Sequence, residues 1–237
     1  MKTALVILLA SAVLLPTKPR GGDPTEIVKA GSLDVSREAV EHVIKFETGG
    51  RAYYERFYER PQDPGFASGV TVGFGYDLKF HTKDQIARDW QGAATPAEIA
   101  AMVSVAGLDG SAYRRIQHLV HIEWNDAQRV FEKVTLPRWG EITKKAYRLD
   151  SSNPVHPHLA GALLGNSFNR GPDIRNTNRL REKYERRELI AARRWSSIPA
   201  TFIAEQRHWP NHDGLKRRRR EEAALATKAL DYTWWQR

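Results

Sequence analysis

Cysteine is absent from the 237 residues, and its absence excludes disulfides, thiolate metal sites and a cysteine nucleophile together. The fold must therefore be held by packing. A chain without cysteine suits a reducing compartment, and equally an exported protein that avoids mispairing, so compartment stays open. Long apolar runs are missing too: the stretch Ala4 to Leu15 is shorter than the roughly 20 residues a spanning helix needs. Acidic residues are in deficit, 28 against 37 Lys and Arg, giving a net charge of +9. A surplus of that size predicts attraction to a polyanion: nucleic acid, an anionic membrane or an acidic cell-wall polymer. What is present in quantity is aromatic side chain, seven Trp, eight Tyr and eight Phe, in a chain of mean hydropathy −0.56. That combination argues for a packed globular domain, not a disordered or polytopic chain.

Met1 and Lys2 followed by the apolar run, then Pro16, Lys18, Pro19, Arg20, Gly21 and Gly22, have the order of an export signal. Residues 1–22 are expected to be a signal peptide or an uncleaved signal-anchor, 23–32 a linker, and 33–237 one catalytic domain. The protein is then exported, periplasmic or extracellular, or held at the inner membrane with transient membrane contact through this segment. The alternative is a buried N-terminal helix, apolar on every side.

Asp34 or Ser36 can cap a helix running to about Glu47. Val40, Val43, Ile44 and Glu47 recur at i, i+3, i+4 and i+7, which puts the carboxylate on the apolar stripe, and Gly49-Gly50 ends the helix. A carboxyl group partly withdrawn from water favours its protonated form, the state a general acid needs. Otherwise the helix end frays and Glu47 turns to solvent. Tyr53 to Tyr58 reads as a strand, forming a hairpin with Val70 to Tyr76 across a turn-rich loop containing Asp63. In the second strand Val70, Val72, Phe74 and Tyr76 share one face, and Thr71, Gly73 and Gly75 the other, a nearly bare surface suited to a cleft floor. Asp77 lies on the Thr71 face, but six residues of extended strand would separate the two by roughly 20 Å unless the chain turns at Gly75.

Beyond residue 81 the pattern is helical. Thr95-Pro96-Ala97-Glu98 is a capping box, Val130, Phe131 and Val134 form a stripe, and Leu159 to Phe168 reads as a buried helix ending near Gly171. The class is α+β: mainly helical, with a small antiparallel hairpin lobe and a cleft between two lobes. Lys216 to Arg220, five consecutive cations, are expected to form a solvated helix face, with nucleic-acid or membrane contact as the rarer reading.

An acid at a helix end, an Asp-bearing loop and a Thr-bearing strand suit glycoside hydrolysis, which needs one protonated carboxyl and a second carboxylate. Glu47-Thr48-Gly49-Gly50-Arg51-Ala52-Tyr53-Tyr54 followed by Gly69-Val70-Thr71-Val72-Gly73-Phe74-Gly75-Tyr76 resembles the phage-type lysozymes, a group of endolysins and secreted muramidase effectors. Ser167-Phe168-Asn169-Arg170-Gly171, Trp195 and Gly214-Leu215-Lys216-Arg217-Arg218-Arg219 look like that family's later segments, so the likeness covers about residues 33–230. The resemblance implies a lysozyme-like fold, Glu47 as catalytic acid, Thr71 as a holder of the attacking water, and Asn169 on the cleft-lining helix. The family's catalytic Asp has no direct counterpart, because Glu55 and Arg56 stand where it is usual. Asp63 is the candidate, Glu55 and Glu59 are reserves, and Asp77 has a supporting role. Tyr76 occupies a position where many family members carry a His paired with an acid.

The eight His are scattered, with His156-Pro157-His158 interrupted by proline, so no metal is expected. No Gly-x-Ser-x-Gly elbow or phosphate-binding loop is present, and no cofactor is implied. The expected activity is an N-acetylmuramidase acting on peptidoglycan glycan strands in host lysis or bacterial antagonism, with a holin-type helper or an immunity protein as possible partner and no nucleic acid. The alternatives are a non-catalytic wall-binding protein and a hydrolase of another aminosugar polymer such as chitosan.

Overall fold

In the computed structural model, residues 26–65 and 68–231 are described; the export segment expected at 1–22 lies outside them. Ile27–Ala30 (β1) pairs antiparallel with Leu33–Ser36 (β2), from Ile27 opposite Ser36 to Ala30 opposite Leu33. The expected linker thus ends in a strand, because Leu33, Val35 and Ala30 bury one face of this ribbon. Ser36 then caps α1 (Arg37–Thr48) by accepting from the Ala39 amide, and Gly49, at φ 73°, closes it. Residues 51–57, expected as a strand, are instead a short helix, α2 (Arg51–Phe57). Aromatic richness alone misled here, since β-propensity is largely a packing preference and yields to context.

The hairpin is smaller than expected and lies wholly within the glycine-rich segment. Thr71–Val72 (β3) pairs with Tyr76–Asp77 (β4), and Gln62 bridges to Thr71 on the other side. Gly73 and Gly75, at φ 58° and 82°, make the turn and are not a strand-borne cleft floor. The alternation in burial nevertheless holds: Val70, Val72, Phe74 and Tyr76 are buried, while Thr71 and Asp77 are half-exposed.

The helical body follows as α3 (Lys83–Asp89), α4 (Pro96–Ser104), α5 (Trp124–Val130), α6 (Leu136–Tyr147), α7 (Pro157–Arg170), α8 (Arg181–Ala191), α9 (Ile198–Ala204) and α10 (Asp213–Lys228). Thr95 forms the expected capping box at α4. A π-helical turn, Phe131–Thr135, joins α5 to α6. Every residue of α7 from Pro157 to Ser167 is buried, which marks it as the central helix. Helices α1, α6 and α10 and strand β2 pack around it. The protein is mainly helical with small antiparallel hairpins, an α+β architecture. Among the described residues no helix is long and apolar enough to cross a membrane.

Candidate active site

Glu47 sits in the last turn of α1, and that turn is not frayed. The Gly49 amide donates to Lys45 O at 2.9 Å, the Thr48 hydroxyl donates to Ile44 O at 2.7 Å, and the Gly50 amide returns to the Thr48 oxygen at 3.0 Å. The Glu47 side chain is 21% exposed, and its Oε1 accepts from Arg218 Nη1 at 2.7 Å. Its partner is therefore a cation, where the apolar stripe had suggested a greasy surround.

Arg218 and Arg219 are buried, at 3% and 0% exposure, so the basic run is a solvated face only at its other positions. The reason is a set of buried acids that match them. Arg218 contacts Glu47 and Glu222 and donates to Gly165 O, while Arg219 donates to Glu205, Glu222 and the Asn169 side-chain oxygen. Glu205 also takes Arg186 at 2.9 Å and Arg170 at 3.1 Å. Burial alone would raise the Glu205 pKa, but Arg186, Arg219 and Arg170 outweigh it and hold the carboxyl at about 2. Glu222 is pushed up, chiefly by burial. Asn166 ties the two acids together, donating to both at 2.9 and 3.1 Å. A continuous ionic chain thus runs from Glu47 through Arg218 and Glu222 to Arg219, which hydrogen-bonds to Asn169. Sequence reasoning missed Glu205, Glu222 and Asn166; the Arg218/Glu222 spacing of i, i+4 was the available signal.

Thr71 and Asp77 stand directly opposite each other across the hairpin, a geometry that brings Cβ atoms to about 5 Å. The roughly 20 Å of an extended strand therefore does not apply, because the chain takes the turn allowed for at Gly75, reversing between Gly73 and Gly75. Asp77 accepts from the Gly69 amide at 3.0 Å and the Lys79 amide at 2.9 Å, closing the loop around Thr71. Asp63 is exposed and held elsewhere: it accepts from the Gly65 amide at 2.9 Å and lies against Gly110. Glu55 pairs with Arg51 at 2.6 Å, and Glu59 with His121 at 3.0 Å.

Tyr76 is buried, not cleft-lining. Its hydroxyl donates to Asp89 at 2.7 Å while its ring stacks on His81 at 4.1 Å. Burial, then the Asp89 bond, raises its pKa. A Tyr–Asp pair thus occupies the place where the resemblance anticipated His and acid. Asn169 is exposed at the end of α7 and lines a cavity of about 750 Å³ with Arg170, Arg175, Arg179 and Trp209. The hairpin tip approaches the same helix end, since a Cβ on Gly75 would stand 3.8 Å from the Phe168 ring.

Residues 42–148 match a family described as a domain of unknown function (DUF8812). That segment carries Glu47, Asp63, Thr71 and Asp77 but ends before Asn169 and Arg218. No curated protein matches the chain.

Proposed function

We propose that this protein is an exported peptidoglycan hydrolase, a muramidase with a lysozyme-like fold whose cleft lies between the hairpin and the helical body. The observation that carries the reading is the fixed Glu47: Arg218 occupies Oε1 and holds the carboxyl group in one orientation, and Oε2 is the oxygen to which the reading assigns the transferable proton. As the glycosidic C–O bond breaks, Glu47 Oε2 passes that proton to the leaving oxygen, and positive charge develops on the sugar ring. Water then adds to the anomeric carbon. Thr71 holds that water, and Asp77, facing Thr71 across the hairpin, orients it and draws its proton. Asp63, on the exposed loop with its carboxylate bonded to the Gly65 amide, is the alternative carboxylate for this role.

The net charge of +9 favours an anionic wall polymer over a cationic one such as chitosan. Incubation of the wild-type protein with purified peptidoglycan and analysis of the soluble products tests the reading. New reducing muramic acid ends support it; firm wall binding without new reducing ends would establish the non-catalytic alternative.

A further inference from the structure

The aromatic stretch Tyr53 to Tyr58 has no part in the chemistry above, yet its placement is unusual. Tyr53 and Phe57, one helical turn apart on α2, are 48% and 46% exposed. Tyr54, the next residue, turns inward, is buried and donates its hydroxyl to Ile122 O at 2.9 Å. The outward rings form one cluster: Tyr53 and Phe57 centroids are 4.6 Å apart, and Tyr58 meets Tyr53 edge-on at 5.5 Å. Single exposed apolar residues need no explanation, but a packed group of rings facing water does.

Both ends of α2 are tied to the proposed machinery. At its start, the Tyr53 ring lies against Gly49, the residue that ends the Glu47 helix; a Cβ there would stand 2.9 Å from the ring. At its end, Gln62 Nε2 donates to Phe57 O at 2.9 Å, and the Gln62 backbone exchanges hydrogen bonds with Thr71 at 2.9 and 3.0 Å. The helix, about 10 Å long, therefore runs from the acid's helix cap towards Gln62, which bridges to Thr71.

We infer that the Tyr53–Phe57 face is a sugar-binding platform, on which pyranose rings of the aminosugar strand stack through their flat C–H faces. This rests on the muramidase reading. The rim suits a sugar better than a bilayer: Arg51 pairs with Glu55, and Arg56 lies 5.0 Å from the Phe57 ring centroid. Mixed charges supply donors and acceptors for hydroxyl and N-acetyl groups, whereas a membrane-surface helix carries cations on its polar face. Preformed rings lose little freedom on binding.

The test uses the full chain carrying Glu47→Gln, so that substrate stays intact, with and without Tyr53→Ala and Phe57→Ala. Binding is measured to purified peptidoglycan, to a β-1,4-linked N-acetylglucosamine hexamer and to anionic phospholipid vesicles, with thermal melting as a folding control. The double alanine variant is expected to bind both at least about tenfold more weakly at unchanged melting temperature, while Tyr53→Phe with Phe57→Tyr retains binding. Binding within about twofold of the parent overturns the platform, as does loss confined to anionic phospholipid vesicles. If the platform variant loses sugar binding while the wild type releases no reducing ends, the platform stands and the muramidase reading falls.

Discussion

Arg218 donates from Nη1 to Oε1 of Glu47 at 2.7 Å, across 171 residues of sequence. The bond joins the end of α1 to α10 and makes the orientation of the candidate acid depend on the buried ionic chain behind it. Arg218→Ala is expected to destabilise the fold by about 3–5 kcal/mol, because it leaves Glu222 buried with one cation fewer. Arg218→Lys keeps the charge but loses the fork that reaches Glu47, Glu222 and Gly165 together. It is expected to melt closer to wild type yet turn over peptidoglycan much more slowly. Urea unfolding and product release measured on both variants check this.

His42 gives the fold an acid sensitivity of its own. Burial, then the charges of Arg218, Lys45 and Arg219, lowers its pKa to about 3. The unfolded chain, with an ordinary His pKa near 6.5, takes up the proton first, so stability falls as pH drops from about 6.5 towards 3. For one proton the slope approaches about 1.4 kcal/mol per pH unit. Below the folded pKa both states are protonated and this contribution levels off. The stability difference between wild type and His42→Leu should therefore change across that window, as read by urea midpoints at pH 7, 5 and 4. A difference that stays constant with pH would show that His42 does not carry the effect.

The β1–β2 ribbon is fixed to the helical body through Gly140 on α6. A Cβ at that position would come 1.9 Å from Ala30 O, a backbone atom that cannot move without shifting β1. Gly140→Ala is accordingly expected to destabilise by about 1–3 kcal/mol and to speed hydrogen exchange in residues 27–36 ahead of the rest. Unchanged exchange there would contradict the packing described.

Much of this architecture was legible in the chain. The Ser36 cap, the Gly49 stop, the Thr95 capping box and the buried helix before Gly171 all follow from local rules, and each stands where those rules put it. The elements that misled are those decided by distant partners. Residues 51–57 carry strand-like aromatics but coil into a helix with Tyr54 inserted against Ile122 and Phe74. Arg218 and Arg219 looked solvated because nothing near them in sequence announces that Glu47, Glu205 and Asn169 would close over them. The glycines at 73 and 75 read as a bare strand face, where positive φ makes them a turn. That turn, the exception named for Gly75, sets Asp77 opposite Thr71.

The proposed role of Asp77 rests on the same turn. Asp77→Asn is expected to lower peptidoglycan turnover by at least about tenfold while costing about 1 kcal/mol of stability through its weakened bonds to the Gly69 and Lys79 amides. Asp63→Asn, on the exposed loop, is expected to stay within about threefold of wild type. Turbidity clearance of purified cell walls by the two variants, with melting curves alongside, separates them. The reverse ranking would return the role to Asp63.

The proposed hydrolysis depends most directly on Glu47. Glu47→Gln preserves the size of the side chain and an oxygen for Arg218 but removes the transferable proton. With the purified variant and purified peptidoglycan, release of reducing ends should fall by at least about a hundredfold while the melting temperature stays close to that of wild type. Undiminished release of reducing ends would contradict the account.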